Sequence, residues 1–82
     1  MQRWWLYVLE CRGGVLYTGI AKDVEARFAA HASGKGAAFT RINPPLRILG
    51  RAAFDSRSAA LRAEHALKQV PRAEKLRWCS SG

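Results

Sequence analysis

With 82 residues, 49% of them hydrophobic, the chain is long enough for one small core and too short for two. It has no apolar run near the roughly 20 residues of a membrane span and no secretory signal pattern, so the expected address is the cytoplasm. Fourteen Lys and Arg against six Asp and Glu leave a net charge of +8, which favours DNA or RNA as partner over a membrane surface or an acidic protein.

Trp4 to Cys11 (WWLYVLEC) carries aromatic and branched residues at both parities, the pattern of a strand buried on both faces and therefore central. Arg12-Gly13-Gly14 predicts a turn and Val15 to Ile20 a second strand, together a hairpin. A three-residue loop sets Cys11 opposite Val15 and puts Tyr7 and Tyr17 on one sheet face, whereas a two-residue Gly-Gly loop separates them. Asp23 suits the N-cap of a helix reaching about Ala32, with Glu25 in its first turn. Gly34-Lys35-Gly36 ends that helix, and an irregular loop carrying Lys35 and Arg41 runs to Pro44-Pro45.

Leu46 to Phe54 reads as a third strand. Asp55 or Ser56 caps a second helix ending near Val70, and Pro71 opens a short last helix reaching about Trp78. The order β-β-α-β-α-α predicts a small α/β (α+β) fold, a three-stranded antiparallel sheet flanked by helices, with residues 1–82 as one domain. Cys11 and Cys79, far apart and in no ligand or redox spacing, are expected as reduced thiols.

Three features suggest chemistry. At 100° per residue Ala60, Ala63, Leu67 and Val70 form the apolar arc of the second helix, and Glu64 falls inside it. A carboxylate there needs a cation, either an arginine partner or a metal. On the first helix Val24, Phe28 and Ala32 form the apolar stripe. Arg27 and His31, spaced i and i+4, share its flank, where they can face a phosphate or be an ordinary half-exposed pair. Tyr7 and Tyr17 add two phenols that either pack or take part in proton transfer. Gly34-Lys35-Gly36 is no P-loop, since Ala29 stands where the first glycine belongs. Two histidines and two scattered cysteines do not make a tetrahedral zinc site.

In order and spacing these residues resemble the GIY-YIG nuclease domain, in its short stand-alone bacterial branch related to Slx-type structure-specific endonucleases. Trp5-Leu6-Tyr7 stands in the place of GIY, and Tyr17-Thr18-Gly19 in that of YIG. Asp23 to Phe28 with His31 matches the arginine helix, Ser33 to Ala37 with Thr40-Arg41 the following loop, and Ser58 to Gln69 the glutamate helix. The chain departs from the pattern in having no glycine before Tyr7, a threonine in place of isoleucine, and no asparagine after Asn43.

The resemblance implies a metal-dependent DNA endonuclease. Glu64 would hold Mg2+ or Mn2+, and Arg27 would neutralise the scissile phosphate. Tyr7, Tyr17 and His31 would position or deprotonate the attacking water, and Lys35 and Arg41 would hold the backbone. Single-stranded or branched DNA is the expected substrate, with Trp4, Trp5 or Phe39 as a stacking surface. The competing expectation is a catalytically inactive nucleic-acid-binding module on the same fold.

Overall fold

The structure, a computed structural model, describes residues 3–81. Strand β1 (Trp4–Cys11) lies at the centre of a three-stranded sheet of order β2-β1-β3, with β2 (Leu16–Ala21) and β3 (Pro45–Phe54) antiparallel on either side. The double-sided apolar pattern of β1 accounts for that place. Tyr7, Leu9 and Cys11 pack on one face with Ala21 and Val24, while Leu6 and Val8 pack on the other with Leu67. Leu6, Val8 and Leu9 are essentially inaccessible to solvent, and each such side chain contributes about 1.5–3 kcal/mol by leaving water.

The hairpin turn is the three-residue one. Arg12–Gly14 forms a single tight turn in which Gly13 and Gly14 adopt φ of 84° and 80°, conformations that a side chain would strain. The Cys11 N–H donates to the Val15 carbonyl at 2.8 Å. Tyr7 pairs with Gly19 and Leu9 with Tyr17, so both tyrosines project from the same sheet face.

Helix α1 (Val24–Ala32) starts at Asp23, whose carboxylate accepts the Ala26 N–H at 3.1 Å. Helix α3 (Arg57–Lys68) starts at Ser56, whose hydroxyl accepts the Ala59 N–H, also at 3.1 Å. Helix α4 (Arg72–Ser81) follows Pro71. An ion pair between Arg51 and Glu25 (2.5 Å) links β3 to α1.

Two details differ from the pattern-based expectation. The segment predicted as irregular contains a five-residue helix, α2 (Ala38–Ile42), which has no side-chain cap. And the packed face of α1 is rotated: Ala32 is exposed, Phe28 is half-buried and His31 is fully buried. The cause is the chain after α1, which folds back over the imidazole and gives it polar partners that helical periodicity does not register.

Candidate active site

An open cleft of ≈ 620 Å³ runs between the hairpin, α1 and α3. Tyr7, Tyr17, Arg27 and Glu64 all line it, each from a different element. The hairpin register brings the two phenol rings to 6.4 Å between centroids. Gly19 allows the tyrosines to sit as they do. A Cβ there would stand 2.6 Å from Tyr7 Oη and 3.1 Å from the Tyr17 ring, so the strand must carry glycine where the rings cross it.

Glu64 reaches the cleft from the apolar arc of α3 with its side chain 13% exposed. Among the described residues its cationic partner is Lys68, one turn on, at 3.3 Å and half-exposed. An i,i+4 pair of this kind contributes only about 0.3–0.5 kcal/mol, so it yields readily to a stronger cation.

His31 lies behind the cleft wall instead of on it. Its Nε2 is 3.1 Å from Tyr7 Oη and its Nδ1 is 2.7 Å from Thr40 Oγ1. The Thr40 hydroxyl donates to the Ala37 carbonyl at 2.9 Å, so its oxygen accepts from His31 Nδ1–H. The Nε2 lone pair is then left for the Tyr7 hydroxyl. The Ala37 N–H also points at Nδ1, which would require the other tautomer, but at 3.4 Å it is the longest contact of the set and the shorter bonds decide. Gly36 completes the enclosure: a Cβ at this position would overlap His31 Nδ1.

Burial and then the charge of Arg27 hold the His31 pKa below its usual 6.5, so the imidazole is neutral at pH 7. Burial and then Tyr17 push Tyr7 up to about 12, against an opposing pull from Arg27 and with a small push from Glu64. The guanidinium of Arg27 thus does not outweigh the desolvation of this phenol.

The structure therefore brings five predicted residues to one place, four on the cleft wall and His31 one hydrogen bond behind. Lys35 and Arg41 are exposed and lie outside the cleft lining. Phe39, on α2, is partly exposed with its ring 5.8 Å from that of Tyr17. Sequence reasoning missed two cations on the lining, Lys22 and Arg57. It also gave Thr40 no role beyond a loop match. The available signal for Thr40 was weak: a single hydroxyl beside an exposed aromatic.

Thr40→Val removes the acceptor for His31 Nδ1–H from a buried site. The expected cost is about 1–3 kcal/mol of folding free energy, read from denaturant midpoints, with Thr40→Ser close to the parent protein. Equal midpoints for the valine and serine variants would show that this hydrogen bond carries no net stability.

Comparison with known proteins agrees with the fold. The GIY-YIG catalytic domain family matches residues 3–77. A UPF0213 protein of Cupriavidus pinatubonensis is 53% identical over 79 residues, covering 96% of this chain and 88% of that protein. A UPF0213 protein of Staphylococcus saprophyticus is 39% identical over the full length of both chains, 82 residues. Two solution NMR structures are similar in fold. The UPF0213 protein of Bacillus halodurans has TM-score 0.59 and 41% identity, covering 98% of this chain and 84% of that one. A protein of E. faecalis has TM-score 0.66 and 32% identity, covering 99% and 86%.

Proposed function

The chain belongs to the GIY-YIG catalytic domain family, a nuclease domain, and from that premise we propose a metal-dependent endonuclease that hydrolyses DNA phosphodiester bonds, single-stranded or branched DNA being its substrate. One observation carries the reading: Tyr7, Tyr17, Arg27 and Glu64, drawn from four elements, line a single cleft. A module that only binds nucleic acid gains nothing from a carboxylate facing phosphate.

The donor set fits a hard divalent ion. Glu64 is nearly enclosed, and its ion-pair partner among the described residues is a weakly held, half-exposed lysine. No group of three or more His, Cys, Asp and Glu side chains able to hold a metal occurs among the described residues. Zinc, which wants several nitrogen or sulfur ligands, is poorly served. Mg2+ or Mn2+, content with one carboxylate and several waters, is well served in an open cleft. When bound, the ion supplies polarisation of a phosphate oxygen and charge stabilisation for the departing 3′ oxygen.

The residues then divide the work. Arg27, exposed on the cleft wall, faces the scissile phosphate and stabilises the charge that builds on it in the transition state. A water in line with the P–O3′ bond gives its proton to Tyr7 Oη while the phenol proton passes to His31 Nε2. The water oxygen bonds to phosphorus, the P–O3′ bond breaks, and the 3′ oxygen leaves, taking a proton from solvent in the open cleft to become a hydroxyl, while the proton on His31 returns through Tyr7 to solvent. His31 acts only through Tyr7, because Tyr7 lines the cleft and His31 does not. The relay also avoids a heavy cost. With Tyr7 near 12, a free phenolate at pH 7 would require on the order of 7 kcal/mol. A neutral imidazole waiting behind the phenol requires no such ionisation in advance and lies closer to the operating pH. Thr40, by holding Nδ1–H, aims the acceptor nitrogen at the phenol, and Tyr17 packs the ring in place.

The test is a panel of labelled single-stranded, duplex, flap and junction DNA incubated with Mg2+ or Mn2+, with and without EDTA. Cutting of single-stranded or branched DNA that EDTA stops is expected. Binding without cutting on every substrate would overturn the hydrolase reading, and equal cutting of plain duplex would overturn the substrate preference.

A further inference from the structure

Besides Arg27, the cleft carries a second cluster of positive charge. Lys22, in the turn between β2 and α1, holds Nζ 5.3 Å from the centroid of the Trp4 ring. Arg57, the first residue of α3, holds its guanidinium carbon 5.7 Å from the same ring. All three residues line the cleft together with Arg27 and Glu64. Among the described residues, neither cation has an Asp or Glu oxygen within 4.0 Å. The carboxylates nearest in sequence are Asp23 for Lys22 and Asp55 for Arg57; of these Asp23 lines the cleft, but one of its oxygens is committed to the Ala26 N–H.

Two like charges gathered on one indole repel each other unless an anion joins them. The indole offsets part of that repulsion, since a cation over a tryptophan face gains about 0.5–1 kcal/mol at an exposed site. It also restricts two long side chains that would otherwise lose rotamer freedom on binding a ligand, so the donors are held ready. The cleft, at ≈ 620 Å³, is larger than one phosphate needs and lies in the range that encloses a drug-sized ligand. With Arg27 facing one phosphate, room and charge remain for another.

We infer that Trp4, Lys22 and Arg57 form a phosphate subsite that holds a backbone phosphate flanking the scissile one on the same nucleic-acid strand. The inference rests on the nuclease reading and extends it from the reacting bond to the strand around it. Trp4 is in this arrangement an anchor for two cations, not a stacking surface for a base. Lys22 and Arg57 line the cleft, whereas Lys35 and Arg41, which the resemblance assigns to the nucleic-acid backbone, lie outside its lining.

Binding is read by fluorescence anisotropy of a short labelled oligothymidylate, in a Glu64→Gln background so that no strand is cut. Each phosphate contact on a single strand contributes about 0.7 to the slope of log affinity against log salt. Lys22→Gln with Arg57→Gln removes the one phosphate contact and should therefore flatten the slope by about 0.7. The affinity lost between about 50 and 200 mM salt should then shrink by about two- to threefold. The charge-matched control is Arg62→Gln with Arg77→Gln, two exposed residues outside the cleft lining, and it should keep the parental slope. Equal slopes for the two double variants would overturn the subsite. Trp4→Leu should weaken binding while retaining the slope, and unchanged affinity in that variant would overturn the anchoring role of the indole. Because the readout is binding without cleavage, a parent protein that binds but never cuts would sink the hydrolase and leave the subsite to be judged by its slope.

Discussion

Glu64→Gln is expected to lower single-turnover DNA cleavage by roughly a thousandfold or more while leaving the fold intact. The size follows from what the carboxylate supports. A metal ion's stabilisation of the transition state amounts to several kcal/mol, and each 1.36 kcal/mol is a factor of ten in rate. Glutamine keeps the shape and hydrogen-bonding capacity of the side chain but is a far weaker ligand for a hard cation. Folding should barely register the change. The interaction lost is the pair with half-exposed Lys68, worth a few tenths of a kcal/mol, and a nearly enclosed charge is removed at the same time.

DNA affinity should hold or rise, since one negative charge facing the phosphates disappears from the cleft. The measurements are single-turnover cleavage across a Mg2+ titration, a thermal melt, and anisotropy with labelled DNA. A variant that cuts at the parental rate would remove the metal assignment. One that recovers fully at high Mg2+ would mean that Glu64 tunes affinity for the ion without being needed to hold it.

Much of this site was legible because its signals are local. The glycines at Arg12–Gly14 announce the hairpin but leave two loop lengths open, and the three-residue turn that forms sets the register that puts Tyr7 and Tyr17 on one face. The three- and four-residue spacing around Ala60, Ala63 and Leu67 set Glu64 among apolar neighbours, and the side chain is indeed nearly enclosed. Asp23 and Ser56 cap the two helices that carry Arg27 and Glu64, within a residue or so of where the pattern put them.

What stayed hidden depends on contacts across the chain. The depth of His31 comes from Thr40 and Gly36 closing over it, which no property of α1 itself encodes. Helix α2 has neither a side-chain cap nor length to announce it; its Phe39 and Thr40 lie against Tyr17 and His31. Lys22 and Arg57, far apart in the chain, each reach the Trp4 ring from different segments. Lys35 and Arg41 looked equally suitable by charge, and only the path of the chain excludes them from the cleft.

Tyr7→Phe removes the hydroxyl that the relay and a phenolate mechanism both need, and its expected loss of cleavage is about 10²–10⁴-fold, the range for removal of a positioned proton-transfer group. The same change leaves buried His31 Nε2 without its partner at 3.1 Å, so a stability cost of about 1–3 kcal/mol should accompany it. Tyr17→Phe keeps the ring that packs against Tyr7 and should lose far less. The pH dependence of the parent protein carries the sharper distinction. In the relay, His31 must be neutral to receive the proton, and burial holds its pKa below 6.5. The rate should thus fall as pH drops below the lowered His31 pKa and stay level from about pH 7 to 9. A phenolate base with Tyr7 near 12 would instead give a rate rising about tenfold per pH unit over that whole interval. The folded state obeys the same sign. The unfolded chain binds a proton at His31 more readily than the native protein does, so stability declines as pH falls through 6.5 toward the lowered native value. His31→Gln should flatten both the acid limb of the rate and this part of the stability curve. A level acid limb in the parent protein would exclude the imidazole and the phenolate alike as proton acceptor, and a tenfold rise per pH unit continuing to pH 9 would return the base to the phenol alone.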